Sequence, residues 1–401
     1  MLTNSGHLTY CTNIHTGENW QDHFNEIKKN FPGIKKELSP DKPMGIGLRL
    51  SNVAGIELSE EKNLNVFKQW LHKNNAYVFT MNGFPYGSFH GDSIKDQVHA
   101  PDWTTQERVE YTLRLFHILK DLLPGETEGG ISTSPLSYKY WFKPGDALKS
   151  AMKLCTNNIV LIAENLIEIH KSTGKILHLD IEPEPDGMIE TGKEFIQWFI
   201  TDLLADGSKR IAAKFNVSIP QAEELLKEHV RLCYDVCHFA IGYEPHEEII
   251  REVLKSGIKI GKLQISAALK GVMNKDILMR RNIKASFAKF NEPTYLHQVV
   301  AKKNNGELLR YPDLPEALSD YDNPEVNEWR AHFHVPIFEE DFGLLQSTQK
   351  DIKEVLRVQK DINFTRHLEV ETYTWEALPG SLKLPLQESV TRELLWVAPH
   401  L

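Results

Sequence analysis

Short apolar runs alternate with longer stretches in which apolar residues recur every three or four positions along the chain. The short runs are rich in β-branched and aromatic residues and end in polar or turn residues, as buried strands do. The longer stretches have the spacing of amphipathic helices. Eight strands are predicted, at 7–15, 45–51, 77–84, 130–137, 175–183, 230–239, 258–269 and 365–374. Helices are predicted between them, at 19–31, 60–74, 105–123, 147–172 and 191–205.

This alternation predicts a parallel α/β sheet, and eight is the number of strands that closes a (β/α)8 TIM barrel. The competing architecture is a doubly wound sheet, which usually carries a glycine-rich phosphate turn after its first strand. The sequence contains neither GxGxxG nor GxxxxGK[ST]. We therefore predict a single TIM-barrel domain over 1–401.

Two stretches exceed a minimal barrel. Residues 206–229 are predicted to be a helical insertion, and residues 271–329 are a long insertion after the seventh strand. Long insertions at the catalytic end of a barrel commonly enclose substrate. We predict that 271–334, which includes the second insertion, covers the barrel mouth as a lid, with Arg280, Arg281 and His334 facing a pocket that takes an anionic ligand. The alternative is a solvated excursion or an oligomer contact.

The amino-acid composition excludes some classes of binding partner. The net charge is -9, from 46 basic and 55 acidic residues, which argues against binding nucleic acid or an anionic membrane surface. The four cysteines show neither a disulfide framework nor a paired CxxC zinc motif. No signal peptide precedes the first strand, and no apolar run approaches the ~18 residues that span a bilayer. We expect a soluble, cytoplasmic protein without membrane insertion.

Candidate chemistry lies at strand ends, because the active site of such a barrel forms where its strands end. On the fifth strand His178, Asp180 and Glu182 share one face, with Glu182 at the end. The alternative is that Glu182 and Glu184 are solvated loop acids. The sixth strand ends in CYDVCHF, which brings Asp235 and His238 together as DxxH. That pair suits a borderline divalent ion, although Asp235 could instead accept from nearby backbone amides.

The last two strands complete a ring of donors. Lys262, Gln264 and Ser266 share a face of the seventh strand, and His367, Glu369 and Glu371 share a face of the eighth. Glu371 lies nearer the mouth and is the better ligand, whereas Glu369 could be a deeper support. The segment RAHFHVPIF adds His332 and His334, which could bind metal or substrate or be structural.

The combined set predicts a site for a divalent metal, either Zn, Mn or Co, with Glu182 and Glu371 as a proton-transfer pair. The metal would polarise a carbonyl group and stabilise the negative charge that develops. His238 would orient a substrate hydroxyl or ligate a second ion.

The arrangement resembles the xylose-isomerase-like barrel superfamily, which includes sugar isomerases, sugar epimerases and the endonuclease IV group (AP endonuclease family 2). The resemblance implies metal ligands at Glu182, Asp235, Gln264 and Glu371, accompanied by His238. Gln264 departs from the pattern, because a histidine is usual there, and His332 or His334 could substitute for it.

More narrowly, LTYCTNIHTGENW, LHLDIEPEPDG, YDVCHFA and RAHFHVPIF resemble the EboE metabolite-traffic proteins of bacterial ebo clusters. This implies a metal-dependent isomerase or epimerase that processes or exports a polyol, a sugar or a secondary-metabolite precursor. Other ebo-cluster proteins are implied as partners. The alternatives are a non-catalytic metabolite-binding accessory protein and an endonuclease IV-like phosphoesterase.

Overall fold

The eight predicted strands form one parallel barrel, which confirms the predicted fold class. The computed structural model describes residues 1–87, 94–125, 127–373 and 385–401. The barrel strands are β1 (Gly6–Tyr10), β2 (Met44–Arg49), β3 (Ala76–Asn82), β4 (Gly129–Thr133), β5 (Leu177–Ile181), β6 (Val230–Asp235), β7 (Ile260–Ile265) and β8 (His367–Val370). Their order in the sheet is β1-β8-β7-β6-β5-β4-β3-β2, and a two-residue strand, Leu2–Thr3, pairs antiparallel with β1.

The barrel closes between β1 and β2 through a side chain. Thr9 Oγ1 donates a 2.8 Å hydrogen bond to the Gly45 carbonyl and accepts one of 3.2 Å from the Gly47 amide. A parallel bridge between Cys11 and Gly47 follows one step further on. The threonine hydroxyl thus supplies contacts that a backbone ladder supplies elsewhere in the barrel.

Helices surround the barrel. They are Trp20–Leu38, Asn52–Leu58, Glu61–Lys73, Gln106–Leu122, Asp146–Thr173, Gly192–Trp198, Ala205–Phe215, Ile219–His229, Val236–Ile241, His246–Lys255, Gln349–Ile362 and Leu386–Val397. A π-helical turn, Phe199–Leu204, joins two of them, and short 3-10 helices cover Thr12–Ile14, Lys95–His99, Lys139–Trp141 and Ala398–His400. Within the described ranges, no helix has the length together with the apolar character that crossing a bilayer requires.

Alternation along the strands divides apolar from polar side chains. Leu177, Leu179 and Ile181 belong to the large apolar core. Polar side chains that alternate with the apolar ones point into the barrel. Lys262 of β7 contacts Glu369 of β8 there. Glycine makes room for this polar interior, because a Cβ atom at Gly47 would lie 2.0 Å from Glu369 Oε2.

Several strands end earlier than the apolar runs indicated. The sixth predicted strand extended to residue 239, but β6 ends at Asp235, which caps the helix Val236–Ile241 by accepting from the His238 amide at 3.2 Å. The seventh predicted strand divides into β7 and Leu269–Val272. For the eighth, Thr374 lies outside the described residues.

The chain between β7 and the helix Gln349–Ile362 forms a second sheet. Its six antiparallel strands lie in the order Leu308–Tyr311, Val299–Lys303, Val326–Ala331, Leu269–Val272, Leu345–Ser347 and Asp341–Phe342. The helices Ile277–Ala288 and Leu314–Ser319 complete it. The second sheet leads back to the barrel mouth, since the Val335 amide donates to the Ala267 carbonyl at 3.0 Å.

Candidate active site

Three carboxylates and one amide meet at the carboxyl ends of the last four barrel strands. Glu182 follows β5, Asp235 ends β6, Gln264 lies in β7 and Glu371 follows β8. The strand register places Gln264 beside Asp235 on one side and beside Glu369 on the other. All four residues named at the strand ends are at most 4% exposed. The four positions predicted from strand ends therefore lie together at one mouth.

The side-chain amide of Gln264 is at the centre of this carboxylate cluster. Its Nε2 atom donates to Glu182 Oε1 at 3.1 Å and to Asp235 Oδ2 at 3.2 Å, and it also contacts Glu371 Oε2. An amide has two hydrogens to give to these three oxygens. Its other end accepts from the Cys233 thiol at 3.2 Å. Because a thiol can also accept a hydrogen bond, Gln264 could turn and present its oxygen to a cation in the cluster.

Burial and mutual repulsion oppose ionisation of the cluster. Burial, followed by the charges of Glu371 and Asp235, raises the pKa of Glu182 well above its ordinary value. Burial, followed by Asp235 and Glu369, raises the pKa of Glu371 to about 8. The ligand atoms of Glu182, Asp235 and Glu371 lie within 4.8 Å of one another. A divalent cation fits this donor set, because it would stabilise the ionised carboxylates that now lack sufficient donors.

Glu371 is fixed by two asparagines that strand-end reasoning did not select. Asn13 Nδ2 and Asn82 Nδ2 each donate a 2.7 Å hydrogen bond to Glu371 Oε1. Asn13 follows β1 and Asn82 ends β3, so the rule applied to the acids would also have found these amides. Their contacts leave Glu371 Oε2 directed towards Gln264.

A buried ion pair lies one layer deeper in the barrel. Lys262 Nζ is 3.2 Å from Glu369 Oε1 and also donates to the Met81 carbonyl at 3.0 Å and Ser132 Oγ at 3.2 Å. Burial alone would lower the pKa of Lys262, but Glu369 and weaker neighbours raise it above its ordinary value. The supporting position predicted for Glu369 therefore corresponds to an ion pair beneath the carboxylate cluster.

Histidines form a second group beside the carboxylates. His238 Nε2 lies 3.1 Å from His332 Nε2. His334 Nδ1 donates to the Glu371 carbonyl at 3.0 Å, while its Nε2 is 4.0 Å from Asp235 Oδ2. Burial, followed by the neighbouring His238, lowers the pKa of His332 well below its ordinary value. Burial likewise lowers the pKa of His334 to about 4.

The six predicted metal ligands do not surround one point. Among the residues that the structure describes, Glu182, Asp235 and Glu371 form one candidate cation site, and His332 is not part of it. His332 instead groups with Glu184 and His238, or with Cys237 and His334, and Asp235 also groups with His238 and His334.

Glu184 and His99 also belong to this site, although the sequence left open that Glu184 is a solvated loop acid and gave no reason to select His99. Glu184 is 5% exposed and His99 is 1% exposed. His99 Nε2 lies 2.9 Å from Glu184 Oε1. His99 comes from the 3-10 helix Lys95–His99, far from any strand end, which is why a search of strand ends could not find it.

The basic residues predicted to face a pocket do not do so. Arg280 is buried within the insertion, where its guanidinium donates to the carbonyls of Asn323 and Val326 at 2.7 Å each. Arg281 is exposed and reaches Tyr321 Oη at 3.4 Å. The prediction was wrong for both residues. Arg280 binds buried carbonyl groups of the insertion instead, and Arg281 lies in solvent. His334 does line the cavity at the mouth.

The cavity at the mouth has a volume of about 60 Å³, room for only a few water molecules. Residues of the insertion and of the loop after β3 line it, with Phe84, Tyr295 and Tyr373 on its apolar side. On its polar side lie Asn13, Asn82, Glu182, Glu184, His238, Gln298, His332, His334 and Glu371. Tyr295 and Gln298 of the insertion line this cavity, and the lid stays a prediction.

The sequence matches no family model and no curated protein. Among solved structures, the IOLI protein with a bound zinc atom has 12% identity and a TM-score of 0.46, with 98% of each chain covered. A D-tagatose 3-epimerase-like protein has 11% identity and a TM-score of 0.47, again over 98% of each chain. A xylose isomerase-like TIM barrel protein from Mycobacterium smegmatis, in complex with magnesium, has 10% identity and a TM-score of 0.47 over 94% of this chain and 88% of its own. This likeness concerns the course of the backbone, and no conclusion about chemistry follows from it.

Proposed function

We propose that this chain is a metal-dependent enzyme of the isomerase or epimerase type that acts on a small polyol, sugar or related metabolite precursor. The observation that carries the proposal is the convergence of Glu182, Asp235 and Glu371 on Gln264 at the cavity of the barrel mouth. Carboxylates that converge at a barrel mouth are suited to general acid–base proton transfer.

The proposed metal ligands are the three carboxylates and the side-chain oxygen of Gln264. To bind the metal, the amide group would rotate so that its oxygen, instead of Nε2, faces the carboxylates. A divalent metal held there supplies polarisation of a substrate carbonyl and stabilises developing negative charge. Oxygen donors of this kind suit Mg²⁺ or Mn²⁺. Asn13 and Asn82 hold one oxygen of Glu371, which fixes the direction in which the other oxygen can act.

Glu182 and Glu371 are the proposed proton-transfer pair. Each approaches Gln264 from a different strand end, so one carboxylate could take a proton from a substrate carbon and the other could return it. Lys262 and Glu369 form the ion pair beneath them. Because the cavity of about 60 Å³ is too small for a sugar, the proposed lid would have to open to admit substrate, and on closing it would keep water from a carbanionic intermediate.

The test is exchange of solvent deuterium into carbon positions of ketopentoses, ketohexoses and cyclic polyol ketones, with the protein loaded with Mn²⁺. Exchange is expected in the wild type and lost in Glu182→Gln and in Glu371→Gln. Glu244→Gln is the control, because Glu244 is a half-buried carboxyl that accepts from the Gly192 amide outside this cavity. Binding of a panel member without exchange in the wild type would reject catalysis and favour the accessory alternative.

The resemblance to EboE proteins extends the proposal to the processing or export of a secondary-metabolite precursor, with other ebo-cluster proteins as partners. Phosphoesterase activity is the weaker alternative. Among the described residues lining the cavity, Lys95 is the one Lys or Arg, and its Nζ is paired with Asp313 at 2.7 Å. The carboxylates of the cavity would repel the negative charge of a phosphodiester, and the Lys95 ammonium is already paired with Asp313. The cavity is therefore poorly suited to a phosphodiester unless bound metals offset the charge.

A further inference from the structure

A second set of metal-ligand side chains lies beside the carboxylate cluster. Glu184 comes from the loop after β5, His238 from the helix after β6, and His332 from the end of the insertion strand Val326–Ala331. One donor atom from each lies within 4.8 Å of the others, and all three side chains line the cavity. None is more than 6% exposed.

The hydrogen-bond partners fix which ring nitrogen carries the proton. His238 Nδ1 is 3.0 Å from the Pro183 carbonyl, which can only accept, so this nitrogen donates. Gln298 Nε2 donates to the Pro185 carbonyl at 3.1 Å, which turns Gln298 Oε1 towards His332 Nδ1 at 2.8 Å. His332 Nδ1 therefore donates as well. In the neutral rings, both Nε2 atoms bear lone pairs.

These two lone pairs face each other at 3.1 Å. Two such acceptors repel each other unless a proton or a metal cation lies between them. A Zn²⁺ ion placed 2.0–2.1 Å from both nitrogens would give an N–Zn–N angle of roughly 100°, close to tetrahedral. Glu184 Oε2, 3.9 Å from His238 Nε2, adds a negative charge on the same side.

Each of the three donors already has the outer partner that metal ligands require. The carbonyl of Pro183 orients His238, and the oxygen of Gln298 orients His332. His99 Nε2 contacts the other carboxylate oxygen of Glu184 at 2.9 Å. Such outer partners fix the ring tautomer and the direction of a ligand, and they are a regular feature of built metal sites.

We propose that Glu184, His238 and His332 form a zinc site with coordination positions open to the cavity. Two imidazoles and one carboxylate suit Zn²⁺, whereas the oxygen donors around Gln264 suit Mg²⁺ or Mn²⁺. The protein would thus hold two different metals side by side. Since one zinc ligand belongs to the insertion, zinc would also fasten the lid to the barrel. This zinc site does not depend on the proposed isomerase chemistry.

The test uses metal-free full-length protein titrated with Zn²⁺ alone and with Co²⁺ alone. Calorimetry is expected to show tight Zn²⁺ binding, and Co²⁺ to show visible absorption bands of a nitrogen-ligated, low-coordinate ion. His332→Phe should abolish both signals, and Gln298→Leu should weaken Zn²⁺ affinity roughly 10–100-fold, the range for loss of an outer partner. His72→Ala is the control, because His72 is an exposed histidine remote from the barrel mouth on the helix Glu61–Lys73.

Glu371→Gln separates the two sites: it should reduce Mn²⁺ binding and leave the Co²⁺ spectrum in place. Zn²⁺ binding that persists in His332→Phe but disappears in Glu371→Gln would overturn the proposal, and so would wild-type protein that binds no Zn²⁺. If His332→Phe does not fold, Gln298→Leu decides alone, because unchanged Zn²⁺ affinity in that variant contradicts the assigned outer partner. Failure of deuterium exchange with intact Zn²⁺ binding would count against the enzyme proposal only.

Discussion

Lys262 Nζ lies 3.2 Å from Glu369 Oε1 in the barrel interior, where both side chains are fully buried. Lys262→Met would leave Glu369 as a buried charge without its cation. We expect a loss of about 3–5 kcal/mol in the free energy of unfolding, the usual cost of removing one member of such a pair. The double variant Lys262→Met/Glu369→Gln should recover much of that loss. Urea denaturation of the three proteins checks this, and a loss below about 1 kcal/mol in the single variant would contradict the inferred coupling.

The carboxylate cluster should lose its metal when two of its charges are removed. Asp235→Asn combined with Glu371→Gln is expected to abolish Mn²⁺ binding while the protein stays folded, because asparagine keeps an oxygen for the His238 amide that Asp235 now caps. Mn²⁺ binding is measured by electron paramagnetic resonance and folding by circular dichroism. Glu244→Gln provides the control for loss of one half-buried carboxyl away from the cluster, and metal content unchanged in the double variant would rule out the cluster as the Mn²⁺ site.

Gln264 should determine which metal the carboxylate cluster prefers. Gln264→His replaces an amide with an imidazole among Glu182, Asp235 and Glu371, and imidazole favours Zn²⁺ or Co²⁺ over Mn²⁺ or Mg²⁺. We expect the ratio of Zn²⁺ to Mn²⁺ affinity at this cluster to rise by at least roughly tenfold. Competition titrations are best made in the His332→Phe background, where the proposed zinc site is absent. A ratio that does not change would show that residue 264 does not contact the metal.

Arg280 should stabilise the insertion without taking part in ligand binding. Its guanidinium satisfies the buried carbonyls of Asn323 and Val326, so Arg280→Met is expected to cost about 2–3 kcal/mol of stability. Arg281→Met is the matched control, because Arg281 is exposed and such substitutions usually stay within ±0.5 kcal/mol, roughly. Hydrogen exchange of residues 271–329 should accelerate in the first variant only. Similar exchange in both variants would contradict the structural role of Arg280.

Glu393 should make stability depend on pH. Burial raises the pKa of Glu393 to about 8, although Thr372 Oγ1 donates to its Oε1 at 2.6 Å and the Ile337 amide donates at 3.2 Å. In the unfolded chain this carboxyl ionises near pH 4.3. The folded protein therefore binds the proton more tightly, so the stabilisation is complete below the unfolded pKa and disappears as pH rises through about 8.

Glu393→Gln removes this titration and retains an oxygen for both donors. Relative to the wild type, its melting temperature is expected to rise as the pH increases from 5 towards about 8. Thermal melts of both metal-free proteins across that range measure the difference. A difference between the two melting temperatures that is independent of pH would contradict the raised pKa.

Local periodicity was sufficient for the architecture. Alternation along β5 and β8 separates Leu177, Leu179 and Ile181 from the polar positions, and the eight runs closed into a barrel as predicted. The same alternation placed Glu182, Asp235, Gln264 and Glu371 at strand ends. In a parallel barrel all strand ends meet at one rim, so position in the chain was enough to predict that they would converge.

The sequence did not determine contacts made by loops. His99 reaches Glu184, and Gln298 orients His332, although these residues are separated by long stretches of chain without regular spacing. The sequence of the long insertion contains basic residues but does not indicate what they contact. Arg280 is buried because it donates to carbonyl groups of its own segment. Such pairings depend on how distant segments pack, and no local repeat encodes them.

The sequence by itself therefore determined the barrel, its polar interior and the carboxylates of the mouth, since each follows from a period of two or from the end of a strand. Only the tertiary structure decided that the amide nitrogen of Gln264 contacts all three carboxylates and that His238 and His332 face each other. The physical reason is that hydrogen-bond direction, ring tautomer and burial belong to a complete environment, which forms only when β5, β6, β7, β8 and the insertion are packed together.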